Sequence, residues 1–210
     1  MHEAKKVLRA DEFKQFKPNE MLKTPLYYFL IISMFLSSAA YLVIIPYIKT
    51  IAMDRGLSTN LALAAVMSTG IANALGRILA PAISDRLGRT NSIIICCIVS
   101  AVACFLMITA SGPLYILAVF LISFTYGGTS GINPVISTEL FGAANSGTNY
   151  GLVLISIAAS SVVFGKVASV VGNTVSFTPV FILCAIICIV PMVLMRWMHN
   201  FCLSRSGKLI

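Results

Sequence analysis

An arginine set inside an apolar run offers the sharpest chemistry in this chain. Arg77 follows Thr69, Gly70, Asn73 and Gly76. At about 100° per residue, this group falls within about 120° of one helix face, while Leu75, Ile78 and Leu79 lie mostly elsewhere. A guanidinium in that position is costly in lipid and is expected to face a polar cavity or a partner. There its fork can give two parallel hydrogen bonds to a carboxylate. The competing reading is that Arg77, about two turns from a helix end, snorkels to the headgroups beside Arg86.

Three further groups of residues accompany it. Tyr126, Ser130, Asn133 and Ser137 make a polar stripe interrupted by Gly127, Gly128 and Gly131, which fits either a cavity lining or hydrogen bonding between closely packed helices. Asn149, Tyr150, Ser156 and Ser160 carry the same two readings, and Tyr150 also suits an interfacial aromatic. Lys166 is a second charge within an apolar run, with no acidic residue in any such run to balance it, and lies near enough to an end to snorkel. The turn Asp85-Arg86-Leu87-Gly88-Arg89 is dense in charge, and Gly88 permits a sharp reversal there. Together with Glu139, the residues Asp85, Arg86 and Arg89 are expected to gather at helix ends as a gate; the alternative is solvated charges that only set topology.

The elements that must position these groups are membrane helices. The chain has 210 residues, 58% hydrophobic and only 10% charged, with mean hydropathy +0.93, a balance that belongs in lipid. Six apolar windows, at 25–52, 59–83, 91–110, 114–138, 148–172 and 177–198, each clear the ~20 residues of a spanning helix. The expected fold class is an all-α membrane protein with one six-helix bundle over residues 25–198, a linker-like segment 1–24 and a tail 199–210. Thr24-Pro25 is a good helix start, and Pro46 and Pro191 are expected to kink the first and sixth spans. Residues 1–24 are polar and charged, with Val7, Leu8, Phe13 and Phe16 scattered among lysines and acids, which suits contact with a membrane surface. The first span itself is expected to direct insertion.

The net charge of +8 does not point to nucleic acid, because the basic residues sort by side of the membrane. Lys5, Lys6, Arg9, Lys14, Lys17 and Lys23 precede the first span, Arg86 and Arg89 hold the second loop, and Arg196, Arg205 and Lys208 close the chain. Only Lys49 and Arg55 flank the first loop, so both termini are expected in the cytoplasm of a multi-pass protein of the plasma (inner) membrane. The six cysteines lie in or beside apolar helices without paired spacing, as small packers rather than a zinc or disulfide framework. No residues are arranged as nucleophile and base, no metal constellation or cofactor motif is present, and catalysis is disfavoured.

Four segments give the chain a resemblance to the C-terminal half of a major facilitator superfamily transporter, nearest the oxalate/formate antiporter-like group. They are Asn19-Glu20-Met21-Leu22-Lys23-Thr24-Pro25, Asn73-Ala74-Leu75-Gly76-Arg77 with Ser84-Asp85-Arg86-Leu87-Gly88-Arg89, Glu139-Leu140-Phe141-Gly142, and Thr148-Asn149-Tyr150-Gly151. The resemblance implies one bundle of that fold with a 3+3 inverted repeat. It also implies that Arg77 is similar to the arginine with which the oxalate transporter of this group binds its dicarboxylate, the spacing to Asp85 agreeing. Two departures stand out. Pro81 sits where the family's pattern has a small glycine, so altered helix contact is expected. That transporter's lysine would fall at Leu154-Ile155-Ser156-Ile157, and its loss argues for a monocarboxylate or another small anion over oxalate itself.

The expected function is half of a secondary active transporter for small organic anions, monocarboxylate or dicarboxylate, working by alternating access. Arg77, Asn73, Tyr126, Ser130 and Asn133 are the expected substrate contacts. Its partners would be the bilayer and an N-terminal six-helix half, or a second copy in a homodimer. The alternative is a truncated, non-transporting membrane protein or a six-span scaffold or binding subunit.

Overall fold

The computed structural model describes residues 15–172 and 177–206. Expectations for Val7, Leu8, Phe13, Lys5, Lys6, Arg9, Lys14, the side chain of Arg205, Lys208 and the loop 173–176 lie outside the described residues. Within them, six helical spans are long and apolar enough to cross a membrane: Pro25–Asp54, Thr59–Leu87, Arg89–Thr109, Gly112–Phe141, Ser146–Val170 and Thr178–Cys202. The first begins as its sequence dictates, with the Thr24 hydroxyl accepting from the Tyr27 amide at 3.4 Å and Pro25 at the first helical position.

Proline and serine interrupt two of the spans. The first runs as Pro25–Ser37, Ala39–Ile44, a 3-10 turn at Ile45–Tyr47 and Ile48–Asp54. Pro46 lies in that turn, as expected, and cannot donate to the carbonyl of Leu42. The break at Ser38 has another cause: its hydroxyl lies 3.0 Å from the Met34 and Phe35 carbonyls, and Ser160 adds a hydrogen bond to Phe35 at 2.8 Å. Serine bonding back to its own helix bends it. The sixth span breaks at Cys188, between Thr178–Ile187 and Ile189–Ser206, because Pro191 withdraws the donor for Ile187.

One residue, Gly88, separates the second and third spans, and its φ of +88° is a backbone state that a side chain would strain. This marks the Gly88 end of the bundle. At the opposite end, Arg55 ties the first loop to the rest. Its guanidinium donates to the Met107 and Ala110 carbonyls at the end of the third span and stacks over Tyr115 at 5.6 Å and Phe181 at 5.8 Å. Tyr115 in turn donates to the Ile48 carbonyl at 2.6 Å. Arg55→Ala should therefore cost about 2–4 kcal/mol of stability, from charged hydrogen bonds and stacking together. Arg55→Lys should fall between, since an ammonium lacks the fork. Thermal unfolding in detergent reads the difference.

Two apolar clusters fill the bundle, one around Val43, Met107 and Phe181 toward the Arg55 end and one around Leu30, Ile136 and Met195 toward the Gly88 end. All six cysteines are buried among these helices. The closest helix contact joins the second and fourth spans. A Cβ on Gly76 would meet the Phe124 carbonyl and stand 2.8 Å from the Gly128 amide; one on Gly127 would stand 2.9 Å from the Asn73 carbonyl carbon and Cα. Gly131 faces the Arg77 backbone and the Pro81 ring, whose Cγ would lie 2.9 Å from an added Cβ. Pro81 itself stands in this contact, with its ring against Gly131. The second span continues through it to Leu87, because Gly131 leaves the ring its space.

Candidate functional site

The glycine crossing sets the site's geometry. Gly127 and Gly131 hold the backbone at Asn73 and Arg77, so their chain neighbours Tyr126 and Ser130 stand beside those two side chains. Arg77 is exposed, and its Nε donates to Asn73 Oδ1 at 2.9 Å, one helical turn back. No described residue hydrogen-bonds its two terminal nitrogens. The Arg77 charge lies close enough to act on the phenols of Tyr126 and Tyr150. The Tyr126 ring stacks on Tyr41 with centroids 4.1 Å apart and planes 9° apart.

One cation, a group of phenols and a serine thus come together from the first, second, fourth and fifth spans. Positive charge with hydroxyl donors and aromatic walls recognises a small carboxylate. Tyr41 was not legible as part of this group, since nothing in its sequence neighbourhood distinguishes it from other aromatic residues in apolar helices. Tyr150, read as cavity-lining, packing or interfacial, stands within electrostatic reach of Arg77.

The expected stripe on the fourth span divides. Tyr126 and Ser130 are half-buried beside Arg77, whereas Asn133 is 3% exposed and Ser137 2%. Asn133 lies on the same helix face two turns nearer the Gly88 end than Tyr126, and is buried in this conformation. Lys166 is exposed on the fifth span, about 160° round the helix from Tyr150, and so away from Arg77.

The charged turn brings three of its four expected members together. Arg89 Nη2 lies 2.6 Å from Asp85 Oδ1, and its Nε and Nη2 both donate to Glu139 Oε1 at 3.0 Å. Its Nη1 donates to the Ser84 hydroxyl at 2.6 Å and the Pro81 carbonyl at 3.2 Å. Arg89 therefore joins the second, third and fourth spans at the Gly88 end. Arg86 does not join them. A residue one step from Asp85 projects about 100° away, and Arg86 lines a shallow groove with Leu79, Ala82, Ile83 and Leu87. Because the side chains of Asp85 and Glu139 are 60% and 41% exposed, water screens the pairs. Arg89→Gln should lower stability by only about 1 kcal/mol, read as a small shift in thermal midpoint.

Comparison with known proteins agrees with the fold. The family model for the Major Facilitator Superfamily matches residues 2–166. A protein of Oxalobacter formigenes named oxalate:formate antiporter is 25% identical over 198 residues, covering 93% of this chain and 46% of its own. An uncharacterized transporter of the same superfamily from Escherichia coli (strain K12), YhjX, is 28% identical over 152 residues, covering 71% of this chain and 38% of its own. The chain thus spans about half or less of the length of these relatives. The matched region, the six apolar spans and the charged turn at Gly88 agree, and the chain belongs to the Major Facilitator Superfamily.

Proposed function

We propose that this chain forms one wall of an alternating-access pathway for small organic anions, working with a second six-helix half. Arg77 carries this reading. It stands exposed on the second span, held at Nε by Asn73 and flanked by Tyr126 and Tyr150, and no carboxylate among the described residues pairs with it. A single cation on this wall suits one carboxylate, as in a monocarboxylate; a dicarboxylate would need its second charge met by the other half, since Lys166 lies away from the site. The similarity to an oxalate:formate antiporter points to the same substrate class.

The cytoplasm faces the Gly88 end in this reading. Lys17, Lys23, Arg86, Arg89 and Arg196 lie toward that end, against Lys49, Arg55 and Lys166 toward the other. The Arg89 network then acts as the cytoplasmic gate, and the open faces of the second and fifth spans receive the partner half. Ile78 and Val162 on those spans are 68% and 60% exposed.

The test is co-reconstitution with an N-terminal six-helix half from a related transporter in liposomes preloaded with unlabelled anion. Labelled formate or oxalate should accumulate by exchange. Uptake no greater than with the partner half alone, for every small carboxylate tried, would overturn the reading in favour of a six-span binding or scaffold subunit.

A further inference from the structure

The segment before the first span is fastened to the turn between the fourth and fifth spans. The Phe16 amide donates to the Phe141 carbonyl at 2.9 Å, one of the helix-end carbonyls that lack a partner within their own helix. The Phe16 carbonyl accepts from Asn145 Nδ2 and Asn149 Nδ2, each at 3.1 Å. Gln15 Oε1 accepts from the Ala144 amide at 2.9 Å. The Phe16 ring meets Phe141 edge to face at 5.9 Å. Behind this anchor, the helical turn Pro18–Met21 buries Met21 completely, and Thr24 bonds the Met21 carbonyl at 2.7 Å while capping the first span.

We propose that residues 15–24 are a releasable clasp whose docking is coupled to the Arg89–Glu139 ion pair. The coupling has a short path. Phe141, which receives both the backbone bond and the ring of Phe16, lies half a helical turn beyond Glu139 on the fourth span. Glu139 in turn holds both Nε and Nη2 of Arg89. Fixing the end of the fourth span fixes the height and rotation of Glu139, and freeing it lets that carboxylate move from Arg89.

Two features make the clasp releasable. Its bond from the Ala144 amide to Gln15 lies at the exposed surface, where water can replace it. Docking also leaves Asn149 Oδ1 buried without a hydrogen-bond partner, a standing penalty on the docked state that release would relieve. By reciprocity, any process that pulls on or modifies the chain ahead of residue 15 biases the ion pair, and the ion pair biases the clasp by the same factor. The inference concerns the coupling alone, and its test requires no transport.

Hydrogen–deuterium exchange on the full chain in lipid nanodiscs reads both ends. In Asn145→Ala/Asn149→Ala, amides at 15–24 and 142–146 should exchange at least tenfold faster, and those at 84–92 should also accelerate. In Glu139→Gln, the clasp amides should accelerate in return. Faster exchange confined to the clasp, or an unmoved clasp in Glu139→Gln, would overturn the coupling. If the double variant fails to fold, Gln15→Ala, which removes the acceptor for the Ala144 amide, must show the same joint acceleration, and acceleration at one end alone would count against the proposal.

Discussion

Replacing Arg77 with glutamine should reduce exchange of small carboxylates in proteoliposomes by at least about 10²-fold. Two charge-assisted hydrogen bonds are worth about 1.5–3 kcal/mol each, and about 1.4 kcal/mol is tenfold in affinity. Glutamine keeps polarity and much of the reach but loses both the charge and the fork. Lysine should restore part of the activity, because it returns the charge without the planar pair of donors. Asn73→Ala should cost less, about tenfold, since Asn73 orients Nε and leaves the terminal nitrogens for the anion. Initial uptake rates across an anion concentration series check all three. Equal rates for wild type and Arg77→Gln would remove Arg77 from the site.

Leucine at Gly127 should prevent the bundle from assembling. The first atom of the new side chain would stand 2.9 Å from the Asn73 carbonyl carbon and Cα, within the backbone of a continuous helix that cannot yield locally. Overpacking ordinarily costs about 1–3 kcal/mol, and a clash between two backbones exceeds that range. Moving the second span aside would also carry Asn73 and Arg77 from Tyr126. Gly127→Leu should therefore elute as aggregate in detergent and bind no anion. Gly151→Leu is the control, since no atom lies within 4 Å of an added Cβ there. That variant should fold and unfold normally, yet fail to transport with a partner half, because Gly151 lies on the open face of the fifth span.

Much of the fold was legible because lipid imposes a simple rule: each span must be apolar along its length and close its own backbone hydrogen bonds. Thr24-Pro25 and Gly88 likewise act through their own neighbours in the chain. The site was legible only where one helix contains it, as in Arg77 and Asn73 one turn apart. Tyr41 and Tyr150 join through helix crossings, whose heights are set by Gly76, Gly127 and Gly131 on backbone distant in sequence. The burial of Asn133 and the divergence of Arg86 from Arg89 depend on which face the neighbouring spans cover. The same holds for Arg55, whose partners Met107, Ala110, Tyr115 and Phe181 come from three other spans. The Ser38 break was missed because serine bends a helix only when its hydroxyl turns back to the carbonyls, here supported by Ser160.

The most direct measurement is the reactivity of position 77 in the assembled carrier. In Arg77→Cys, a membrane-impermeant, positively charged thiosulfonate should modify the new thiol from the aqueous side, while the six buried native cysteines stay unreactive. By putting a cation back, the modification should also recover part of the lost anion exchange. A thiol that stays unmodified under conditions that label a loop cysteine fully would place position 77 against lipid and contradict the anion pathway.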